Sequence, residues 1–443
     1  MDIPIGFAWI TPSEPDFVSR RITTGCHLGC AYLSAYLKQH GYESDFFIVK
    51  SESPDSFARR IARAGTRVVG LSVDDANFYA VRWLTESIKK IDPSILIILG
   101  GLTATFSDDL LLKNSSIDGC LRSYSESNFL ELVEAFFNSG DYSRTPGLSR
   151  LSGGETIRNP YGRKGPGDLD LFPSPYLSGI IPNNLAVDVG ISTSRGCAYK
   201  CTFCNPTSMH GHQVMYHSDE RVIEELRYMD SCVAEGPRLL LFNEDAFALN
   251  LARTKRLCKK IAASPPRKLI FGCETRIEHL DEEVLRVMYA AGFRYLKFGL
   301  ESGNPRVLNI IKKVRAEDGS RDGYAAEKEY LHKLQKVVGL AKKIGFHTVA
   351  GAVFGLPGER LEDSIDTLDM VCRLDVDEYY HNFLYIFPGT EIFNTKERWG
   401  YRLEVRDDFY PTIYRTYWPY PVELIPRIEG KIRHIQRQSR CFL

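Results

Sequence analysis

The chain carries no excess of charge of either sign: 56 Lys and Arg balance 56 Asp and Glu over 443 residues. No run of Lys or Arg is long enough to track a phosphate backbone, so a nucleic-acid partner is not expected. No stretch approaches the ~20 apolar residues of a membrane span, and no membrane span is expected. The first residues, Met1-Asp2-Ile3-Pro4, lack the charged head and apolar core of a signal peptide. The 11 cysteines therefore read as reduced thiols of a cytoplasmic protein, not as a disulfide framework. No G-x-G-x-x-G occurs, so a dinucleotide lacks its usual phosphate-binding turn. What remains is ordinary globular composition, 44% hydrophobic and 25% charged, in a length that allows two or three domains.

What the chain does have is a C-x3-C-x2-C loop. It runs Arg195-Gly196-Cys197-Ala198-Tyr199-Lys200-Cys201-Thr202-Phe203-Cys204, after an apolar strand-like run of Val187, Val189 and Ile191. Cysteine thiolates hold iron–sulfur clusters, and a cubane takes four ligands. Three from the protein would leave one iron open to a small molecule. A closed structural zinc site also takes four protein ligands. His210 and His212 could complete one, so the spacing alone leaves zinc as an alternative. Three unlinked core cysteines fit poorly, because free cysteines bury singly and these share a loop with Gly196, Lys200 and Asn205.

Residues 1 to about 140 alternate strands and helices. Tyr32, Leu33, Tyr36 and Leu37 recur at helical spacing before Gly41, a C-cap residue. Helices are also expected over Ser56–Ala64 and Tyr79–Ile91, and strands over Asp45–Val49, Arg67–Val73 and Ile95–Leu99. Continuous apolar strands between helices predict a doubly wound parallel sheet, with its ligand beyond the carboxyl ends of the strands. Those ends carry Ser72 and Asp74, then Gly100, Gly101 and Thr103. Paired glycines let a ligand approach the backbone, or simply make a tight turn. Cys26, His27 and Cys30 crowd one loop, but without a matching pair they read as two core thiols and a surface histidine.

From 141 to 184 prolines and glycines predict a linker, with a hairpin of Leu148–Leu151 and Glu155–Arg158 about Gly153-Gly154. From 185 to 395 the alternation resumes, with strands expected at Ala186–Thr193, Arg238–Phe242, Lys268–Cys273, Tyr295–Leu300, Thr348–Phe354 and Tyr379–Ile386. Six strand–helix units predict a partial (β/α)6 parallel barrel with its chemistry at the carboxyl ends. Asn243-Glu244-Asp245, Glu274 with Arg276, Glu301-Ser302-Gly303, Gly355 to Glu359, and Pro388-Gly389-Thr390 follow strands directly. Individually each has a plain explanation, Glu359 as a helix N-terminal acid among them. Val314–Gly323 reads as a charged exposed loop. From 396 to 443 the chain is a short aromatic extension closed by a basic helix over Ile425–Arg440.

These residues resemble the cobalamin-dependent radical SAM enzymes over about residues 20 to 395. The cysteine loop with its Phe203 and Arg195-Gly196 matches, and Gly299-Leu300-Glu301-Ser302-Gly303 with Val307-Leu308 and Lys312 is similar to the family's fourth-strand signature. Gly355-Leu356-Pro357-Gly358-Glu359 and Pro388-Gly389-Thr390 resemble the fifth and sixth strand ends. Leu28 to Gly41, Val69 to Val73 and Leu99 to Phe106 are similar to the family's Rossmann-like cobalamin-binding domain. The D-x-H-x-x-G motif that brings a histidine to cobalt is absent, which implies cobalt without a protein histidine. Asp118 to Glu126 is a weakened form of the family's Gly-Glu segment.

The resemblance implies three cofactors. A [4Fe-4S] cluster would sit on Cys197, Cys201 and Cys204 beside Phe203. S-adenosyl-L-methionine (SAM) would meet Asn243, Glu244 and Asp245 at its amino group, and Arg276 and Ser302 at its carboxylate or ribose, with Glu274 also at the cofactor. Cobalamin would lie against Ser72, Asp74, Gly100, Gly101 and Thr103. The activity implied is C-methyl transfer from SAM through cobalamin to an unactivated carbon of a small-molecule substrate, with an electron donor such as flavodoxin or ferredoxin. The same cofactors could instead serve a ring closure or rearrangement. A methylthiotransferase should show three spaced cysteines in its first domain, and Cys26, Cys30 and Cys120 are spaced differently. A non-enzymatic sensor would have no use for the rim acids or Arg276.

Overall fold

The computed structural model describes residues 5–10, 27–49, 53–74, 77–161, 168–314 and 323–401. The charged stretch 315–322, Cys26, and the aromatic extension beyond Tyr401 with its basic helix lie outside these residues. The chain divides into two compact units that change over between Val189 and Gly190.

The first unit is built on a seven-stranded sheet ordered β2-β1-β3-β4-β5-β6-β7. The strands are β1 (Ile5–Ile10), β2 (Ser44–Val49), β3 (Val68–Ser72), β4 (Leu96–Gly100), β5 (Gly119–Leu121), β6 (Leu148–Ser152) and β7 (Glu155–Arg158). The first five are parallel, and the last two join antiparallel. Sequence reading missed β1, a short run beside Gly6 without alternation. It also placed the hairpin in a linker, whereas β6 pairs with β5 and extends the sheet. That pairing is long-range and has no local sequence mark.

Helices α1 (Leu28–Gln39), α2 (Pro54–Arg63), α3 (Phe78–Ile91), α4 (Leu102–Phe106), α5 (Asp108–Asn114) and α6 (Glu126–Ser139) connect the strands. Two apolar clusters flank the sheet. One joins Phe57, Ile61, Val81 and Leu84 to Val69, Leu71, Ile97 and Leu99; the other joins Phe129, Leu132 and Val133 to Phe7, Val68 and Ile98. The strand order reverses between β1 and β3. In doubly wound sheets that switch point opens the ligand crevice beyond the strand ends.

The second unit carries a five-stranded parallel sheet: β10 (Arg238–Phe242), β11 (Leu269–Glu274), β12 (Phe293–Glu301), β13 (His347–Phe354) and β14 (Glu378–Phe383), in that order. Its helices are α8 (Asn205–His210), α9 (Asp219–Cys232), α10 (Leu251–Ala263), α11 (Glu282–Ala290), α12 (Pro305–Ile310), α13 (Ala325–Ile344) and α14 (Leu361–Leu374). The predicted first strand over 186–193 is not formed. Residues Ala186–Val189 make a short helix, α7, and only Ile191 bridges to Phe242. Alternation at Val187, Val189 and Ile191 fits either state over so few residues. The curled sheet buries Phe293, Leu296, Phe298 and Leu300, while Tyr295, Lys297, Gly299 and Glu301 alternate onto its other face.

Candidate active site

The cysteine loop follows β8 (Ser194–Arg195), which pairs with β9 (Met215–Tyr216). Three anchors fix it. Gly196 sits at φ 97°, a left-handed backbone that favours glycine, and its N–H donates to Asp245 Oδ2 at 3.0 Å. Thr202 N–H donates to the Ile311 carbonyl at the end of α12, and the Thr202 carbonyl accepts from Ile392 N–H on α15 (Glu391–Asn394). Cys197, Cys201 and Cys204 are partly buried and form no disulfide. Burial pushes the Cys197 thiol up, against a backbone bond from Tyr199. Coordination would therefore have to displace protons, as metal binding by thiols does. Thr202 Oγ1 is buried without a partner among the described residues.

Among the described residues no three His, Cys, Asp or Glu side chains are grouped around one ion position. A cubane asks for a wider arrangement, one thiolate on each of three irons. One loop supplies all three, pinned at Gly196 and Thr202, and a guanidinium stands beside it: Arg276 Nη1 reaches Cys201 Sγ at 3.8 Å. This donor set suits an anionic thiolate cluster.

The strand-end residues divide by role. Glu244 turns inward and accepts Thr193 N–H at 2.9 Å and the hydroxyls of Thr193 and Ser194. Burial raises its pKa despite Arg253 and these donors. It ties the start of the cysteine loop to β10. Asn243 and Asp245 flank it on the exposed side. Ser302 is fully buried: its hydroxyl faces Thr367 on α14 at 3.3 Å and caps Asn304 N–H at 3.1 Å. Phe203 lies partly buried within the loop. Glu359 accepts Leu356 N–H and the Ser364 hydroxyl, so it is the helix N-terminal acid that its position suggests.

Lys297 and Lys313, which no motif marked, pair with Glu274 and Glu301, which the sequence did mark. Glu274 pairs with Lys297 Nζ at 2.8 Å, and that ammonium lies 4.8 Å from the Tyr380 ring centre. Glu301 holds φ 61° at a register shift in β12 and meets Lys313 at 3.0 Å. A non-glycine residue in the left-handed region persists only where its surroundings hold it. Burial works against the Lys313 charge, but Glu301 outweighs it and the ammonium pKa is raised. These partners are 12 and 23 residues apart, too far for any local pattern to reveal.

In the first unit, Ser72, Asp74, Gly100, Gly101 and Thr103 gather at the ends of β3 and β4. Asp74 and Asn77 exchange backbone-to-side-chain bonds at 2.9 Å beyond the end of β3. Gly101 has φ 97°, and a Cβ there would meet Val73 O at 3.1 Å and Ser72 Oγ at 3.2 Å. Its glycine is required by the fold itself. Gly100 differs: a Cβ there would meet nothing within 4 Å, which leaves a bare backbone cradle at a strand end. Thr103 is buried at the start of α4. His27, read as a surface residue, caps α1 by accepting Cys30 N–H at 3.3 Å. The cradle and switch point fit a cobalamin, with His27 committed to the helix.

A parallel half-barrel with a three-cysteine loop at its rim, in a chain that also carries a doubly wound domain, defines a class. The Radical SAM superfamily model matches residues 191–371, and the B12 binding domain model matches residues 22–133. An uncharacterized methyltransferase of Pyrococcus horikoshii is 27% identical over 394 residues, 86% of this chain and 81% of that protein. Tryptophan 2-C-methyltransferase of Streptomyces laurentii is 31% identical over 192 residues, 42% of this chain and 30% of that one. The solved structure of a radical S-adenosylmethionine methyltransferase from Kitasatospora setae, with cobalamin and a [4Fe-4S] cluster bound, superposes with a TM-score of 0.69 at 18% identity, over 88% of this chain and 77% of that one. The chain belongs to the cobalamin-dependent radical SAM enzymes. Its cofactors are a [4Fe-4S] cluster, SAM and cobalamin.

Proposed function

We propose that this enzyme moves a methyl group from SAM, by way of cobalamin, to an unactivated carbon of a small-molecule substrate. The observation that carries this is the pairing in one chain of the anchored three-thiol loop with the Gly100 cradle. The nature of the relatives agrees with it: proteins named methyltransferases resemble the chain across both domains.

Cys197, Cys201 and Cys204 would hold the cluster, and the residues at the ends of β3 and β4 would hold cobalamin. Bound there, the cluster supplies an electron and an open iron to chelate SAM, and cobalamin supplies a methyl carrier. The protein's own residues bind and orient. Asp245 and Asn243, exposed at the end of β10, present acceptors for the SAM ammonium. Glu274 and Lys297 present one charge of each sign at mid-barrel, the match for an amino acid's two ends. Glu244 contributes by fixing the backbone of Thr193 and Ser194. The redox partner is a soluble electron donor such as flavodoxin or ferredoxin. Among the described residues no helix is long and apolar enough to cross a membrane.

Anaerobic incubation with methyl-labelled SAM, cobalamin, a reductant and candidate substrates, followed by mass analysis, tests this. A product carrying the labelled methyl on carbon is expected. A rearranged or cyclised product without label would move the enzyme to the ring-closing chemistry open to the same cofactors.

A further inference from the structure

The guanidinium of Arg276 has little left to offer SAM. Nε donates to Glu278 Oε1 at 2.7 Å, Nη2 lies 2.6 Å from the same oxygen and donates to the Lys313 carbonyl at 2.6 Å, and Nη1 reaches Cys201 Sγ at 3.8 Å. Its plane lies over the Tyr199 ring, 3.7 Å from the ring centre, and Tyr199 sits between Cys197 and Cys201. Tyr199 in turn meets His279 through its hydroxyl. Arg276 is 8% exposed and Glu278 7%. At that burial a fixed charge acts through a poor dielectric, where its effect on a neighbouring charge is large.

We propose that Arg276 is a positioning residue for the cluster: it orders the cysteine loop through Tyr199, donates to the Cys201 thiolate, and sets the cluster's reduction potential. This rests on the cluster occupying Cys197, Cys201 and Cys204. Uptake of one electron from the external donor makes the cluster more negative, and no bond or proton changes place. A cationic donor at a ligand sulfur stabilises the reduced form more than the oxidised one. Hydrogen bonds to sulfur and local net charge are the protein's means of tuning such clusters. Arg276 stays charged at every working pH, and its fork is matched to Glu278, so the acid sets how much of that charge the cluster feels.

The test is a redox titration of anaerobically reconstituted protein without SAM, followed by electron paramagnetic resonance, with iron and sulfide measured on each sample. Arg276→Gln is expected to move the midpoint potential downward by about 60 mV or more, a tenfold shift in the one-electron equilibrium. Glu278→Gln removes the opposing charge and is expected to move it upward. The opposite signs separate tuning from damage, since a structural role lowers the melting temperature in both variants and moves neither potential. Unchanged potentials would overturn the proposal. With weakened SAM binding they return Arg276 to the SAM carboxylate, and with a lower melting temperature alone they return it to the scaffold. If Arg276→Gln fails to hold the cluster, Glu278→Gln and Arg276→Lys decide. Wild-type protein without iron would defeat the cluster assignment itself, a separate result.

Discussion

Glu274 and Lys297 stand opposite each other on adjacent strands of the half-barrel, with Lys297 Nζ 2.8 Å from Glu274 Oε2. Their side chains are 45% and 30% exposed, so the pair adds only about 0–1 kcal/mol to stability. A pair that does little for the fold, half-exposed on adjacent strands of the half-barrel, is available to a ligand. Glu274→Gln and Lys297→Met should each weaken SAM binding about 10- to 100-fold, the value of one charged hydrogen bond. Both variants should retain cluster and melting temperature. Equilibrium dialysis of cluster-loaded protein measures this, and unchanged affinity in both would remove the pair from the SAM site.

Cys201→Ala takes out the middle ligand of the loop. Reconstituted wild-type protein should hold about four irons and four sulfides at this site. The variant should lose the brown absorbance and all SAM cleavage. Stoichiometric zinc without iron, in wild-type protein made with ample iron, would reverse the assignment.

Glu244 serves the loop from behind, accepting three donors from Thr193 and Ser194. Glu244→Ala strands those groups and leaves nearby Arg253 uncompensated, which should cost about 3 kcal/mol. Glu244→Gln, which keeps an acceptor of the same shape, should recover most of that loss. The readout is a denaturant unfolding curve; equal stability of the wild type and Glu244→Ala would contradict the anchoring role.

Burial pushes the His27 imidazole down to about 4 from the usual 6.5. The unfolded chain takes up a proton below 6.5 and the folded chain resists it until about 4. The neutral ring thus stabilises the fold above that window, and stability should fall as pH drops through it, by at most about 1.4 kcal/mol per pH unit. His27→Asn keeps an N-cap acceptor and removes the titration, so it should flatten the profile between pH 7 and 5. A profile unchanged by the substitution would show that other groups carry it. The variant should also bind hydroxocobalamin with the wild-type spectrum, because His27 Nδ1 already accepts Cys30 N–H at the helix start.

Much of the scaffold was legible because local rules agree with the global fold. The apolar runs of β3 and β4 are buried on both faces, so they read as strands without ambiguity, and the β10 limits match the predicted Arg238–Phe242. The cysteine loop was legible because its spacing is chemistry. Residues 186–193 misled because alternation over three apolar positions does not separate strand from helix. Roles for Lys297 and Lys313 were hidden for another reason. Each depends on which strand ends stand side by side, and that is a property of the folded sheet.

The two glycines after β4 make opposite predictions. Gly101 needs its φ of 97° and lies 3.1 Å from Val73 O at the Cβ position, so Gly101→Val strains the fold whether or not cobalamin binds nearby. Gly100 has neither constraint: its Cβ position is open for 4 Å, and it ends a parallel strand paired with Ser72. A Cβ there meets no atom within 4 Å, and a longer side chain extends into the space over the strand end. Gly100→Leu should therefore fold with a melting temperature within a few degrees of wild type, since open surface changes stay within about 0.5 kcal/mol. It should lose hydroxocobalamin binding at least tenfold, because the corrin can no longer approach the bare backbone. Gly101→Val should lose stability and cobalamin together. Full cobalamin affinity in a well-folded Gly100→Leu would place the cofactor elsewhere on the first unit.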